Sequence, residues 1–178
     1  KKSCDVYFYE VARKLGVDRL SETAKKFGLG QKVLTNYAEE KTGTVPSTKW
    51  KLNQIGKNWY IGETLHSGIG QGYFLSTPLQ LCLMTAQLAN GGFKIKPRIL
   101  VDDKNVANNL QKYLEYKKTN PNDLNTVHQQ VFNFSLEPLF RNQENINFVK
   151  DAMFAASNEP GGTSYASRHT DKKFMFAG

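Results

Sequence analysis

The sequence predicts an α+β fold in which helices dominate and strand is scarce. Three observations carry this. Four segments, within 3–15, 18–27, 77–89 and 144–157, repeat apolar residues at helical intervals. One of them, 77–89, is apolar enough for the inside of a packed domain. Strand character is confined to two short runs, Arg98–Val101 and Lys172–Gly178. With 178 residues, 39% of them hydrophobic and 12% aromatic, the chain can bury a core of its own and is sized for one domain.

The first helix is expected over Ser3–Leu15, with Ser3 as cap, Phe8, Val11, Ala12 and Leu15 inward, and Gly16 as the stop. The second runs over Asp18–Phe27, with Leu20, Ala24 and Phe27 inward and Gly28 ending it. Residues 29–61 hold turn formers without a sustained period and read as irregular. Trp50, Trp59 and Tyr60 nevertheless need packing partners, so the region is expected to be ordered.

Gly68, Gly70 and Gly72 alternate in GIGQGY and free the backbone for tight turning or for close approach to a ligand. Both readings stand on the glycines alone. A phosphate loop is disfavoured, because the spacing is not G-x-G-x-x-G and no Lys-Ser or Lys-Thr follows. Thr77-Pro78 then starts a helix, threonine as cap and proline at the first helical position. From there to Ala89 the segment is apolar on nearly every face, which predicts a central helix, with Cys82 a small buried hydrophobe. Asn90-Gly91-Gly92 stops it. Residues 102–134, rich in Asn, Lys and Asp, read as a surface insertion within a single domain spanning 1–178. Phe134–Phe140 is apolar again. Glu144–Ser157 is a helix with Ile146, Val149, Met153 and Phe154 in register, broken by Asn158-Glu-Pro-Gly-Gly162. Lys172–Gly178 reads as a strand that stops without a turn, which suggests truncation.

Composition narrows the function classes. The net charge is +8, yet 19 of the 24 basic residues are Lys and 5 are Arg, scattered rather than gathered on one face. Base readout and bidentate phosphate contacts favour Arg, so nucleic-acid binding is disfavoured. Cys4 and Cys82 form no paired spacing, and His66, His128 and His169 have no metal-ligand spacing, so neither a metal nor another cofactor is expected. No apolar run approaches the roughly 18 residues of a spanning helix. The start, with Asp5 and Glu10 and no small-residue cleavage site, is not a signal peptide.

Two short clusters could carry chemistry. Ser3-Cys4-Asp5 sits at a helix start, where a serine commonly serves only as cap. Lys41-Thr42-Gly43-Thr44 has the form of the lysine motif of penicillin-recognising enzymes. It lies in an irregular segment beside Glu39 and Glu40, without the strand such a motif requires, and reads as a chance match.

Taken in order, SCDVYFYEVARKLG, FGLG, AEEKTGTVPSTKWK, W-x-x-G-E-T, GIGQGYFLSTPLQL and LANGG resemble the transpeptidase domain of class B penicillin-binding proteins of the elongation type. The likeness is strong from Ser3 to about Leu100, weak over 102–140, and returns from Glu144. It implies a serine acyltransferase acting through Ser-x-x-Lys, Ser-x-Asn or Ser-x-Asp, and Lys-Thr/Ser-Gly. The second corresponds to Ser3-Cys4-Asp5, giving Ser3 a proton-relay role and Asp5, where Asn is common, a polar or structural one. No Ser-x-x-Lys occurs in these residues. The resemblance expects it some tens of residues before Ser3, and Lys-Thr/Ser-Gly directly after Gly178, since F-M-F-A-G matches the start of that strand. Gly161-Gly162-Thr163 resembles the G-T segment preceding it. Gly68, Gly70, Gly72 and Thr77 take structural places near the site, and AEE-x-x-G becomes a loop. The implied fold is an α-helical lobe plus part of a five-stranded antiparallel sheet, incomplete at both ends.

The implied reaction attacks the D-alanyl-D-alanine bond of peptidoglycan stem peptides at the periplasmic face of the inner membrane, without a cofactor. β-Lactams would trap the acyl-enzyme. A membrane glycosyltransferase and elongation-complex proteins would be partners through other parts of the protein. Lacking the nucleophile, the chain by itself is expected to be inactive. The alternatives are a D,D-carboxypeptidase or β-lactamase-like hydrolase, against which the T-P-L-Q helix and the long loop region argue, and a non-enzymatic basic binding module. The sequence flanking 1–178 discriminates among them.

Overall fold

The computed structural model describes residues 2–34, 37–97, 137–142, 144–171 and 175–177, with the single positions 111, 114, 115, 118 and 119. Its helices are α1 (Asp5–Leu15), α2 (Val17–Lys26), α3 (Thr48–Ile55), α4 (Ile61–Gly68), α5 (Pro78–Ala89) and α6 (Glu144–Asn158), followed by a 3-10 turn at Tyr165–Ser167. Among the described residues, strand pairing is limited to two antiparallel bridges, Thr44 with Leu75 and Phe93 with Pro138. The expected strand at 98–101 and nearly all of the 102–134 insertion lie outside the described residues. The few described positions in 111–119 are helical and exposed, and 175–177 form no strand.

Helix α1 starts later than the sequence suggests. Its cap is Cys4, which makes no side-chain hydrogen bond, so Ser3 does not cap it. Gly16 ends it at φ 79°. Of the four residues expected inward only Ala12 is buried; Phe8 and Val11 are exposed, together with Val6 and Tyr7. The reason is a narrow contact. Helix α1 packs chiefly on α4, and a Cβ on Gly68 would lie 2.3 Å from Ala12 Cβ. Glycine against alanine brings the two backbones together, so one small residue on α1 carries the contact and the bulky ones stay outside.

Two helices went unread. Helix α3 lies inside the region expected to be irregular, and α4 shows no apolar period. Both bury polar faces. In α3 the buried side chain is Lys51, while Leu52 and Ile55 are exposed; in α4 it is Thr64 and Ser67. Ser47 Oγ accepts the Trp50 N–H at 3.0 Å, and Asp18 of α2 accepts the Thr48 N–H at 2.9 Å. That carboxylate completes the positive end of α3 and ties it to α2.

Lys51 pairs with Glu63 in an ion pair whose lysine is almost fully enclosed. Its ammonium lies 4.7 Å from the centre of the Tyr60 ring and 5.8 Å from that of Trp59, and Trp50 packs at a tilt against Tyr73, ring centres 5.3 Å apart. This is where the aromatic residues of the loop region find their partners. Burial would lift the Glu63 carboxyl, yet the Lys51 ammonium, the Tyr60 N–H and the Tyr73 hydroxyl together hold it below its ordinary value of 4.5. A depressed carboxylate stabilises the fold above its unfolded value and loses that contribution as pH falls through the folded one. Glu63→Gln, which leaves the enclosed Lys51 ammonium unpaired, should therefore destabilise the fold at neutral pH. The gap from the unmodified chain should close on acidification below 4.5, as urea unfolding at a series of pH values would show.

Helix α5 is capped as expected: Thr77 Oγ1 accepts the Gln80 N–H and Gln80 Oε1 accepts the Thr77 N–H, both at 3.2 Å. It is not enclosed on every side. Leu81 and Cys82 are exposed, so Cys82 is not the buried hydrophobe expected. The buried seam is Gln80, Leu83 and Gln87. Gln80 Nε2 donates to Gln31 O and Thr42 O, each at 2.8 Å. Gln87 Nε2 donates to Phe27 O at 3.0 Å, and its Oε1 accepts the Ile95 N–H at 3.1 Å. Two glutamines thus pin four loop backbones to one helix. Beside this seam lies the apolar cluster of Ala24, Leu29 and Val45, against which Phe74 and Met84 pack. Helix α6 matches its expected span within a residue and buries Ile146 and Ser157, whereas Val149 and Phe154 are exposed.

Candidate functional site

The Ser3-Cys4-Asp5 segment enters α1 with Ser3 at φ 44°, the one non-glycine residue with positive φ among those described. The left-handed region costs an ordinary L-residue about 1 kcal/mol. Asp5 is the first helical residue, where a carboxylate complements the helix dipole. Both side chains are exposed.

The residue before the segment, Lys2, approaches Gly161 through its side chain. Lys2 Nζ lies 3.2 Å from where a Cβ on Gly161 would be, and Gly161 has φ 77°. Gly162 needs to be glycine for a different reason. A Cβ there would fall 2.3 Å from Ala156 O and 2.6 Å from Ala155 O. The Gly162 N–H bonds Glu159 O at 3.0 Å and the Ser164 N–H bonds Ala156 O at 3.1 Å, folding the turn back onto α6. Thr163 is exposed on this turn. Downstream, the Arg168 guanidinium stacks on Tyr165 at 3.7 Å, adding positive charge to the same stretch.

The glycine stretch takes its place elsewhere on α1. Gly68 touches Ala12, seven residues and about 10 Å along the helix from Asp5. Gly70 and Gly72 take positive φ, at 73° and 78°, in the turn toward α5, and Thr77 caps that helix. Lys2, next to Ser3, therefore lies beside Gly161, while Gly68 packs against α1 at Ala12.

Lys41-Thr42-Gly43-Thr44 is occupied structurally. Thr42 O accepts from Gln80. The Thr44 N–H donates to Leu75 O at 2.7 Å and the Leu75 N–H returns to Thr44 O at 3.0 Å. A Cβ on Gly43 would sit 2.2 Å from Leu75 O. Next to it, the buried Glu40 carboxylate accepts the Val33 and Leu34 N–H groups at 2.8 and 2.9 Å. The segment is a loop anchored to the approach of α5.

One residue that sequence reasoning passed over as a helix breaker is Asn158. Its Nδ2 donates to Phe154 O at 3.0 Å and to Phe176 O at 2.7 Å. The available signal was a side-chain amide at a helix end, directly before a glycine turn. Among the described residues no group of His, Cys, Asp and Glu could hold a metal ion, and no helix is long and apolar enough to cross a membrane.

Comparison with known proteins shows the family. The family model "Penicillin binding protein transpeptidase domain" matches residues 1–171. The peptidoglycan D,D-transpeptidase MrdA of Escherichia coli K12 is 31% identical over 165 residues, covering 93% of this chain and 23% of that protein. MrdA of Acinetobacter baumannii is 41% identical over 98 residues, covering 55% of the chain and 15% of that protein. Among solved structures, PBP2 of Helicobacter pylori in complex with MreC superposes with a TM-score of 0.73 at 26% identity, over 97% of this chain and 27% of that one. Pseudomonas aeruginosa PBP2 bound to WCK 5153 gives 0.64 at 32% identity, over 91% and 32%. The chain spans about a quarter of the length of the E. coli relative. The helical lobe with its sparse strand is thus part of an α+β transpeptidase fold, and the chain belongs to the penicillin-binding protein transpeptidase family.

Proposed function

We propose that the protein containing this chain is a serine-type peptidoglycan D,D-transpeptidase of cell-wall elongation, held at the periplasmic face of the inner membrane, and that residues 1–178 form one wall of its active site. The observation that carries this reading is the match of residues 1–171 to the penicillin-binding protein transpeptidase domain, in a chain whose relatives are D,D-transpeptidases and in which Lys2, beside Ser3, approaches Gly161. By its match to the family's Ser-x-Asp motif, Ser3 supplies the hydroxyl that passes a proton between the nucleophile and the leaving amine. Asp5, at the start of α1, presents a polar side chain to the stem peptide. The 175–177 segment leads toward the Lys-Thr/Ser-Gly strand. The nucleophilic serine and its activating lysine are supplied from outside these residues, and β-lactams acylate that serine. No cofactor takes part. A membrane glycosyltransferase and an MreC-like scaffold are the partners proposed for the whole protein, since a PBP2 relative is known in complex with MreC.

Fluorescent penicillin tests this. The full-length gene product should be labelled and should lose the label after preincubation with unlabelled β-lactam, whereas residues 1–178 alone should not be labelled. A full-length product that takes no label, or a labelled 1–178 chain, overturns the proposal.

A further inference from the structure

The end of α6 joins three stretches of chain. The Gly161–Ser164 turn folds back onto Ala155 and Ala156 with no room for a Cβ at Gly162, the Ser3 segment reaches this turn through Lys2, and 175–177 is reached by Asn158. We infer that Asn158 is a positioning residue of the acyl-transfer site, its side-chain amide fixing the 175–177 segment against the helix end that also carries the turn approached by Lys2. This rests on the transpeptidase reading above.

A carboxamide nitrogen has two hydrogens, and Asn158 directs both at backbone carbonyls. The bond to Phe154 O, four residues back, locks the side chain against the last turn of α6. With that orientation held, the bond to Phe176 O spans 18 residues of sequence and fixes the segment that the family resemblance puts at the start of the third-motif strand. The donor count makes the role specific. Aspartate has the same shape but no hydrogen to give, and would set a carboxylate against two carbonyl oxygens. Alanine removes the tie without the repulsion. Either change leaves α6 and the Gly162 turn their own backbone hydrogen bonds while freeing 175–177 to shift. A displacement on the scale of 1 Å at a reacting group lowers turnover by about ten- to a hundred-fold.

The test measures penicillin acylation of the full-length protein, resolving the pre-acylation binding constant from the acylation rate constant, alongside the thermal unfolding midpoint. Asn158→Asp and Asn158→Ala are each expected to lower the acylation rate constant by about ten- to a hundred-fold, with the binding constant within about threefold and the midpoint close to the parent's. Acylation rates within twofold of the parent overturn the inference, as does failure of both variants to fold, which would make Asn158 a requirement of the domain at large. A parent that is not acylated at all instead defeats the transpeptidase reading, so the two failures are distinguishable.

Discussion

A chain that barely folds is the expected result of Gln80→Leu. The side chain is fully buried, with 0% exposure, and its two amide hydrogens and one oxygen serve Gln31 O, Thr42 O and the Thr77 N–H. Leucine matches the volume but leaves three backbone groups without that partner. Each buried orphan costs about 1–3 kcal/mol, so three of them should cost about 3–9 kcal/mol. Set against a domain stability of about 5–15 kcal/mol, that is most of the margin. The comparison that isolates the cause is Leu81→Gln, one residue along on the exposed face, which should change stability by less than about 1 kcal/mol. Urea unfolding of both variants checks this; a Gln80→Leu chain within about 1 kcal/mol of the parent would remove Gln80 from its place as the anchor of these loops.

The largest effect on activity is expected from Ser3→Ala in the full-length protein. Loss of a proton-transfer group lowers the rate by about 10²–10⁴-fold, and the penicillin acylation rate should fall accordingly. Ser3 stands at φ 44°, so alanine keeps the backbone strain and removes only the hydroxyl. Ser3→Gly removes the hydroxyl and relieves the strain. If the hydroxyl matters, the two variants should be equally slow; if the backbone conformation matters, glycine should differ from alanine. Acylation within tenfold of the parent in either variant would exclude Ser3 from proton relay.

What could be read from the sequence follows from where each element's information is stored. Helix α5 was legible because Thr77 and Pro78 sit side by side and write its start locally. Helix α2 and helix α6 were legible for the same reason at their ends, in Gly28 and in the turn after Asn158. Helices α3 and α4 were not, because a search for apolar periodicity cannot find faces built from Lys51, Thr64 and Ser67. Lys51 becomes an interior residue only once Glu63 and the rings of Tyr60, Trp59 and Tyr73 surround it, and that is a tertiary fact. The same holds for α5: Leu81 and Cys82 looked like core, and Gln80 and Gln87 hold the interior because distant loop backbones need donors there. At the candidate site it was the order of motifs that singled out Ser3, Asp5 and Gly161–Thr163 as candidates. Asn158 was not, since its role depends on a carbonyl 18 residues away.

The buried glutamines of α5 also have a kinetic meaning. The capping bonds of Gln80 span three residues and can form while the chain is otherwise open, whereas its bonds to Gln31 and Thr42 span 49 and 38. Closing loops of that length comes after local helix formation. The helix can therefore serve as a preassembled template, and the long-range amide bonds act as latches that shut late. Contacts made after the rate-limiting step govern how fast a structure comes apart rather than how fast it assembles. By that logic the long-range amide bonds of Gln80 add to the lifetime of the folded lobe between openings.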